Sequence, residues 1–509
     1  MDKRINEFNE YFESVVTDSI DRYGIPFSTE RYKYFFDTGT GKVLRCSEPT
    51  FRLLCNLFEH GGRVNPEGLD LNKEEFEIAV AEIKSAIEKE NIFKANKFDT
   101  FVCAHTRELE EIVGKECKQL ILEVTEKCNL RCRYCIYGEE TKNFRSFSMK
   151  DMTFDIAKKA MDYALSMAAD KMILSFYGGE PLIQYKLIKK CTEYFKSHFK
   201  GEKLSFVLTS NLTLLTEEMA DFFYENKFII TCSLDGDREN QNINRPYAGG
   251  TGSFDDTIRG LKLLVEAYGD DAKECVFVNT VIDRPYTTEK FEKINTFFRS
   301  LTWLSEDAIK VSYAGRDEWD ENIELSPNQD LFNGRLAVVD TFGDWIFKKM
   351  RDNDSDYFSD NIVKDSLLDI HKRMLCNKPI ENCHLNGCCI PGARRLYVTV
   401  DGKFSLCERI GNAPDIGNVE EGINIEKIRK YYVNEYIEQS IKNCSNCWAV
   451  QMCSICYARC FDENGLDMKR KKMLCESTRF SLYDALRRYY TIVEENPEML
   501  QAFNEIELS

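Results

Sequence analysis

Residues 119–135 read QLILEVTEKCNLRCRYC: an apolar run followed at once by three cysteines spaced C-x3-C-x2-C. QLILEVT (119–125) has the length and branched composition of a buried strand. Further apolar runs follow at MILSFY (172–177), LSFVLTSN (204–211), FIITCSL (228–234), CVFVNTV (275–281) and IKVSY (309–313). Amphipathic stretches near 150–168, 181–199, 215–226, 254–267 and 286–301 separate them. Strand and helix alternating in this way predict an α/β fold with a parallel sheet and outer helices, either doubly wound or an incomplete barrel. Both arrangements put chemistry at the C-terminal ends of the strands, where these cysteines stand.

At 509 residues the chain exceeds what one hydrophobic core supports, so several domains are expected. A net charge of −17 repels phosphate backbones and anionic lipid surfaces, which argues against nucleic-acid or membrane partners. The opening MDKRINEFNEYFESVV lacks the apolar core of a signal peptide, and no run approaches a membrane span, so a cytoplasmic protein is expected. In reducing cytosol its 21 cysteines read as metal ligands rather than disulfides. Fourteen of them gather in two regions, three in 128–135 and eleven in 376–475.

Ahead of the first strand, RYKYFF, the turn Thr38-Gly39-Thr40-Gly41 and KVLR read as a hairpin. Ser47-Glu48-Pro49 opens a helix that Gly61-Gly62 stops, and Asn72 opens a second, EEFEIAVAEIKSAIEKE. With a short closing strand at Asn91-Ile92-Phe93, this is a small winged-helix plan. Residues 315–375 show no clear period and are read as bridging helices. Farther on, LYVTV and KFSLC flank Asp401-Gly402, a dipeptide suited to a type I′ turn, and TRFSLYDALRRYYTIVEE after Cys475 reads as a terminal helix. No H-E-x-x-H or G-x-S-x-G pattern supports hydrolysis.

Three thiolates on a short loop hold three irons of a [4Fe–4S] cube and leave the fourth open. A zinc loop is the competing reading, although structural zinc takes four protein ligands. Cys128, Cys132 and Cys135, with Tyr134 before the last, resemble the signature of the radical S-adenosylmethionine (SAM) superfamily. That resemblance implies that the open iron chelates SAM and that a 5′-deoxyadenosyl radical is released. Gly178-Gly179-Glu180-Pro181 matches the family's GGEP segment, where glycines admit SAM and the glutamate faces its amino group. Asn211, Ser233, Arg245 and Val281 stand where the family contacts the cofactor.

Cys383-x5-Cys389, Gly402-x4-Cys407, Cys444-x2-Cys447-x5-Cys453-x2-Cys456 and Cys475 resemble the SPASM extension of radical SAM peptide maturases. The resemblance implies two auxiliary [4Fe–4S] clusters, one on Cys383, Cys389, Cys407 and Cys456, the other on Cys444, Cys447, Cys453 and Cys475. The family's last spacing is x3 where this chain has x2, so Cys460 competes with Cys456, as Cys388 does with Cys389. Zinc ribbons are the alternative for these pairs.

The N-terminal region resembles the recognition element of enzymes that process ribosomal peptides (RiPPs), in which a sheet edge pairs with a leader. A DNA-binding winged helix is the alternative, disfavoured by the acidic EEFE helix. Nearly the whole chain is thus similar to radical SAM/SPASM maturases, most of all those of the thioether-forming, ranthipeptide or sactipeptide kind. The implied architecture is a winged-helix recognition element (25–100), a partial (β/α)6 TIM-like barrel core (115–315), a bridge (316–375), a SPASM domain (376–480) and a C-terminal helix (481–509). The implied function is a cross-link, foremost a Cys thioether, in a leader-bearing precursor peptide, with three [4Fe–4S] clusters, SAM and an external reductant such as flavodoxin or ferredoxin. Carbon–carbon or ether cross-linking, epimerisation and formylglycine formation remain open, with a zinc-stabilised DNA-binding regulator as the remote alternative.

Overall fold

The computed structural model describes residues 2–138, 145–283, 285, 287–314, 341–352, 364 and 366–506. Most of the bridge expected at 316–375 lies outside the described residues.

The N-terminal unit joins α1 (Asp2–Val15), β1 (Gly24–Ser28), β2 (Lys33–Asp37), β3 (Val43–Cys46), α2 (Glu48–Glu59) and α3 (Lys73–Glu90). The strands form an antiparallel sheet in the order β1-β2-β3. A capping box between Asn72 and Glu75 starts α3, and its buried stripe Phe76, Ala79, Ile83 and Ile87 recurs at helical spacing. The third strand is β1, not 91–93: Asn91 and Phe93 have φ of 59° and 56°, left-handed backbone that ends a helix and cannot enter a ladder. Gly24 and Pro26 obscured β1, since proline is tolerated there only because the strand is an edge.

The central sheet takes β4 (Cys117–Thr125), β5 (Ala168–Gly178), β6 (Lys203–Ser210), β7 (Phe228–Ser233), β8 (Val276–Ile282) and β9 (Ile309–Tyr313) in sequence order, all parallel. The helices α4 (Phe154–Ser166), α5 (Tyr185–His198), α6 (Glu217–Glu225), α7 (Arg238–Asn244), α8 (Phe254–Tyr268) and α9 (Thr288–Ser300) lie between these strands in the chain. A doubly wound sheet reverses its order midway; an unreversed order with right-handed crossovers keeps every helix on one side, which is a barrel arc.

Beyond β4 the sheet continues. β10 (Arg395–Val398) pairs with it in parallel, and β11 (Lys403–Ser405), β12 (Gly417–Asn418) and β13 (Gly422–Ile423) add antiparallel strands, making ten in all. The β10–β11 hairpin is not the expected type I′ turn. Thr399 N–H bonds to Lys403 O at 3.0 Å and Gly402 N–H to Thr399 O at 2.8 Å, which closes a three-residue loop with Gly402 at φ 81°. After α10 (Glu435–Cys444), α11 (Met468–Glu495) starts earlier than expected because Asp467 caps it, so Cys475 lies within the helix. No described helix is long and apolar enough to cross a membrane.

Candidate functional site

The cysteine loop leaves β4 at its C-terminal end and is fastened on both sides. Arg131 N–H bonds to Pro246 O at 2.8 Å, Arg133 N–H to Asn244 O at 3.0 Å and Ala248 N–H to Asn129 O at 2.9 Å. On the other side Gly179 N–H bonds to Thr125 O and Glu180 N–H to Lys127 O, both at 2.8 Å. A Cβ on Gly179 would stand 2.1 Å from Lys127 O, so only glycine lets β5 meet the loop this closely. Backbone N–H groups already face two thiols: Leu130 to Cys128 Sγ at 3.4 Å and Tyr137 to Cys135 Sγ at 3.5 Å. Arg245 Nη1 lies 3.8 Å from Cys132 Sγ. Burial pushes the Cys132 thiol up to about 12, opposed by Arg245. A loop that half-buries three thiols while aiming N–H groups and a guanidinium at them suits thiolates whose charge iron neutralises.

The loop's remaining side chains organise the pocket wall. Asp235 receives the Tyr134 hydroxyl on Oδ2 and Val281 N–H on Oδ1 at 3.0 Å, and its Oδ1 lies 3.0 Å from Arg245 Nε. Gln241 accepts Asp235 N–H at 2.8 Å, and the Arg245 guanidinium stands 5.2 Å from the Tyr134 ring centroid. Thus Tyr134, Arg245 and Val281, expected at the cofactor, converge on one fully buried carboxylate. Glu180 is also buried: Oε1 accepts Ser210 Oγ at 2.7 Å and Leu182 N–H at 2.9 Å, and Oε2 accepts Asn211 N–H at 2.9 Å. Burial raises its carboxyl against those three donors. Asn211 Nδ2 in turn donates to Asn129 Oδ1 at 3.0 Å, joining β6 to the cysteine loop. Ser233 ends β7 half-buried at the same rim.

A second buried network was missed from sequence. On β4, Glu123 receives Tyr137 OH and Arg145 Nη1, the latter at 3.0 Å, and on its other oxygen Val400 N–H at 3.1 Å. Arg145 also donates to Tyr397 OH on β10 and to Ile410 O at 2.9 Å. The only sequence signal was a charged residue inside an apolar strand, and its partners depend on β10 pairing with β4.

In the C-terminal region Cys444, Cys447, Cys453 and Cys475 lie close enough for their charges to interact. Buried Cys383 lies with Cys444 and Cys447. Cys407 and Cys388 are each near Cys456, and Cys388 also near Cys460. Cys389 is exposed while Cys388 turns inward, bonding to Ile455 O at 3.7 Å. So the structure groups Cys383 with the second expected set, and brings the spares Cys388 and Cys460 toward Cys456. Among the described residues no three His, Cys, Asp or Glu side chains converge on a single-ion position.

Residues 122–298 match the profile of the Radical SAM superfamily. The chain is 24% identical over 375 residues to a cysteine-type anaerobic sulfatase-maturating enzyme of Clostridium perfringens, covering 70% of this chain and 93% of that one. It is 23% identical over 420 residues to the radical SAM cyclopropyl synthase TigE of Paramaledivibacter caminithermalis, covering 79% and 80%. In fold it matches native anSMEcpe with bound AdoMet, with TM-score 0.53 and 20% identity over 77% of this chain and 100% of that one. That protein is also known with AdoMet and the Kp18Cys peptide (TM-score 0.51, 20% identity, the same coverage). Matched across the strands that carry the cysteine loop, the protein is a radical SAM superfamily enzyme homologous to anaerobic sulfatase-maturating enzymes.

Proposed function

We propose that the protein is a radical SAM peptide maturase that cross-links a ribosomal precursor, foremost by a Cys thioether, using SAM, the cluster on Cys128, Cys132 and Cys135, and two auxiliary [4Fe–4S] clusters. The single observation that carries this reading is the fastened three-thiol loop, with Tyr134, Arg245 and Val281 drawn onto Asp235 beside it. Cys128, Cys132 and Cys135 would hold the cluster, which together with SAM would supply the radical chemistry that removes hydrogen from a peptide residue. The chain's own part is positional. Gly178 and Gly179 admit backbone to the loop, and Asp235 sets the Tyr134 ring and the Arg245 guanidinium.

Peptide delivery is supported by the N-terminal unit. A cavity of about 470 Å³ lies between the free edge of β3, lined by Leu44, Arg45, Cys46 and Ser47, and the α3 residues Ala81–Glu90. An extended leader adding to β3 would cover it, with alternate side chains entering the cavity. Flavodoxin or ferredoxin remains the proposed reductant.

Formylglycine formation is a second reading, favoured by the sulfatase-maturating relatives and by a structural relative known with a peptide. Anaerobic incubation with SAM, dithionite and a leader-bearing peptide separates the two by mass spectrometry. Cross-linking removes two hydrogens and protects a cysteine from alkylation, whereas formylglycine gives an aldehyde that hydrazides trap. A reduced protein that forms no 5′-deoxyadenosine, or a Cys132→Ala variant that still forms it, ends the proposal.

A further inference from the structure

Lys471 belongs to the run KRKK, which by sequence is a solvated helix start, yet it is only 2% exposed. Its ammonium donates to Ser440 Oγ at 2.6 Å and Asn386 Oδ1 at 3.4 Å. It also stands 3.8 Å from Cys444 Sγ and 3.8 Å from the Tyr436 ring centroid. Among the described residues no carboxylate lies within ion-pair distance of it. A buried ammonium surrounded by neutral groups is strongly disfavoured unless an anion shares its site.

The surroundings are built for this cation. Tyr436, Ser440 and Cys444 recur every fourth residue on α10 and so form one stripe; Lys471 and Cys475 do the same on α11. The two stripes face each other, and Asn386, held at φ 47°, aims one carbonyl at both Lys471 and the Tyr436 hydroxyl, the latter at 2.7 Å. Gly387 locks that loop in place, because its N–H bonds to Ile455 O at 3.0 Å and a Cβ there would meet Ser454 O at 2.4 Å. Beside these groups stand the thiols Cys388 and Cys460, each within charge range of Lys471, and a set of four, Cys444 with Cys447, Cys453 and Cys475 near it.

We propose that Lys471 is the counter-charge of an anionic iron–sulfur cluster held by these four cysteines, donating an N–H to the Cys444 thiolate and raising the cluster's reduction potential. This rests on the auxiliary-cluster reading above. A cubane with four thiolates is negative in both oxidation states, and one-electron reduction adds to that charge. A fixed ammonium against one ligand sulfur therefore stabilises the reduced form more than the oxidised one.

The test uses the full chain, reconstituted anaerobically, with iron analysis and a dithionite titration followed by electron paramagnetic resonance. Wild type is expected to hold about twelve irons. Lys471→Met and Lys471→Gln, the second keeping the bonds to Ser440 and Asn386, should either shift one auxiliary signal to more negative potential or lose about a third of the iron. In both variants the signal that responds to SAM should stay in place, and Lys471→Arg should keep the wild-type potential. Neutral variants with full iron and unmoved potentials overturn the proposal while leaving the auxiliary clusters standing. A wild type with only about four irons overturns both.

Discussion

At the scale of the residue, Asp235 has the largest claim on the site although it is no candidate ligand. It holds Tyr134, Val281 and Arg245 at once, and Arg245 is itself 7% exposed, so this is a buried ion pair with additional hydrogen bonds. Removing one partner of such a pair leaves the other charge uncompensated, at about 3–5 kcal/mol. Asp235→Ala is expected to lower stability by that order and to weaken SAM binding as Tyr134 and Arg245 lose their anchor; Asp235→Asn, which still accepts from Val281, should cost less. Urea titration with a SAM-binding isotherm checks this, and an alanine variant as stable as wild type refutes the anchoring role. The sequence showed a strand at 228–234 with Ser233 near its end. It did not show which carboxylate the arginine would meet.

At the scale of elements, the decisive contact is the turn after β5 against the loop after β4. Gly178 and Gly179 bring it within hydrogen-bond distance of Thr125 and Lys127, and a methyl on Gly179 would overlap Lys127 O. Gly179→Ala is expected to fold, because the six strands are unaffected, but to push the turn away from the loop. SAM affinity should fall about tenfold or more, roughly 1.4 kcal/mol. Equilibrium dialysis on protein of matched iron content reads this directly; unchanged affinity means the turn has room the structure denies it. The turn and its glycines were legible because a strand end followed by paired glycines is a short-range pattern. The three-residue β10–β11 loop was read as two residues because Asp-Gly fits both, and only the pairing of Thr399 with Lys403 separates them.

At the scale of the whole molecule, the N-terminal sheet has two covered faces. Phe35 packs among the N-terminal helices, while Phe27 and Tyr34 meet Tyr490 of α11, at 5.6 and 5.0 Å between ring centroids, and Phe36 meets Trp448. Tyr34 OH and Thr29 Oγ1 both reach Glu494 Oε1, at 2.8 and 2.7 Å. The proposed leader-binding unit is thereby seated on α11. Tyr490→Ala should cost about 3 kcal/mol of that seating and speed proteolysis between α3 and β4, with peptide-independent 5′-deoxyadenosine formation unchanged; equal cleavage rates would show that the contact does not hold the unit.

What the sequence determined by itself is local: six strands and their helices, the three-cysteine loop at a strand end, and the glycine turn facing it. Each is written in spacings of a few residues, where side-chain periodicity and backbone sterics decide the outcome. Tertiary structure alone decided that β10 extends the sheet from β4, that Cys383 lies beside Cys444 while Cys389 faces solvent, and that a lysine from a charged run is buried among thiols. Those outcomes join positions tens to hundreds of residues apart, and what fixes them is which charges and hydrogen-bonding groups must be satisfied once the elements pack.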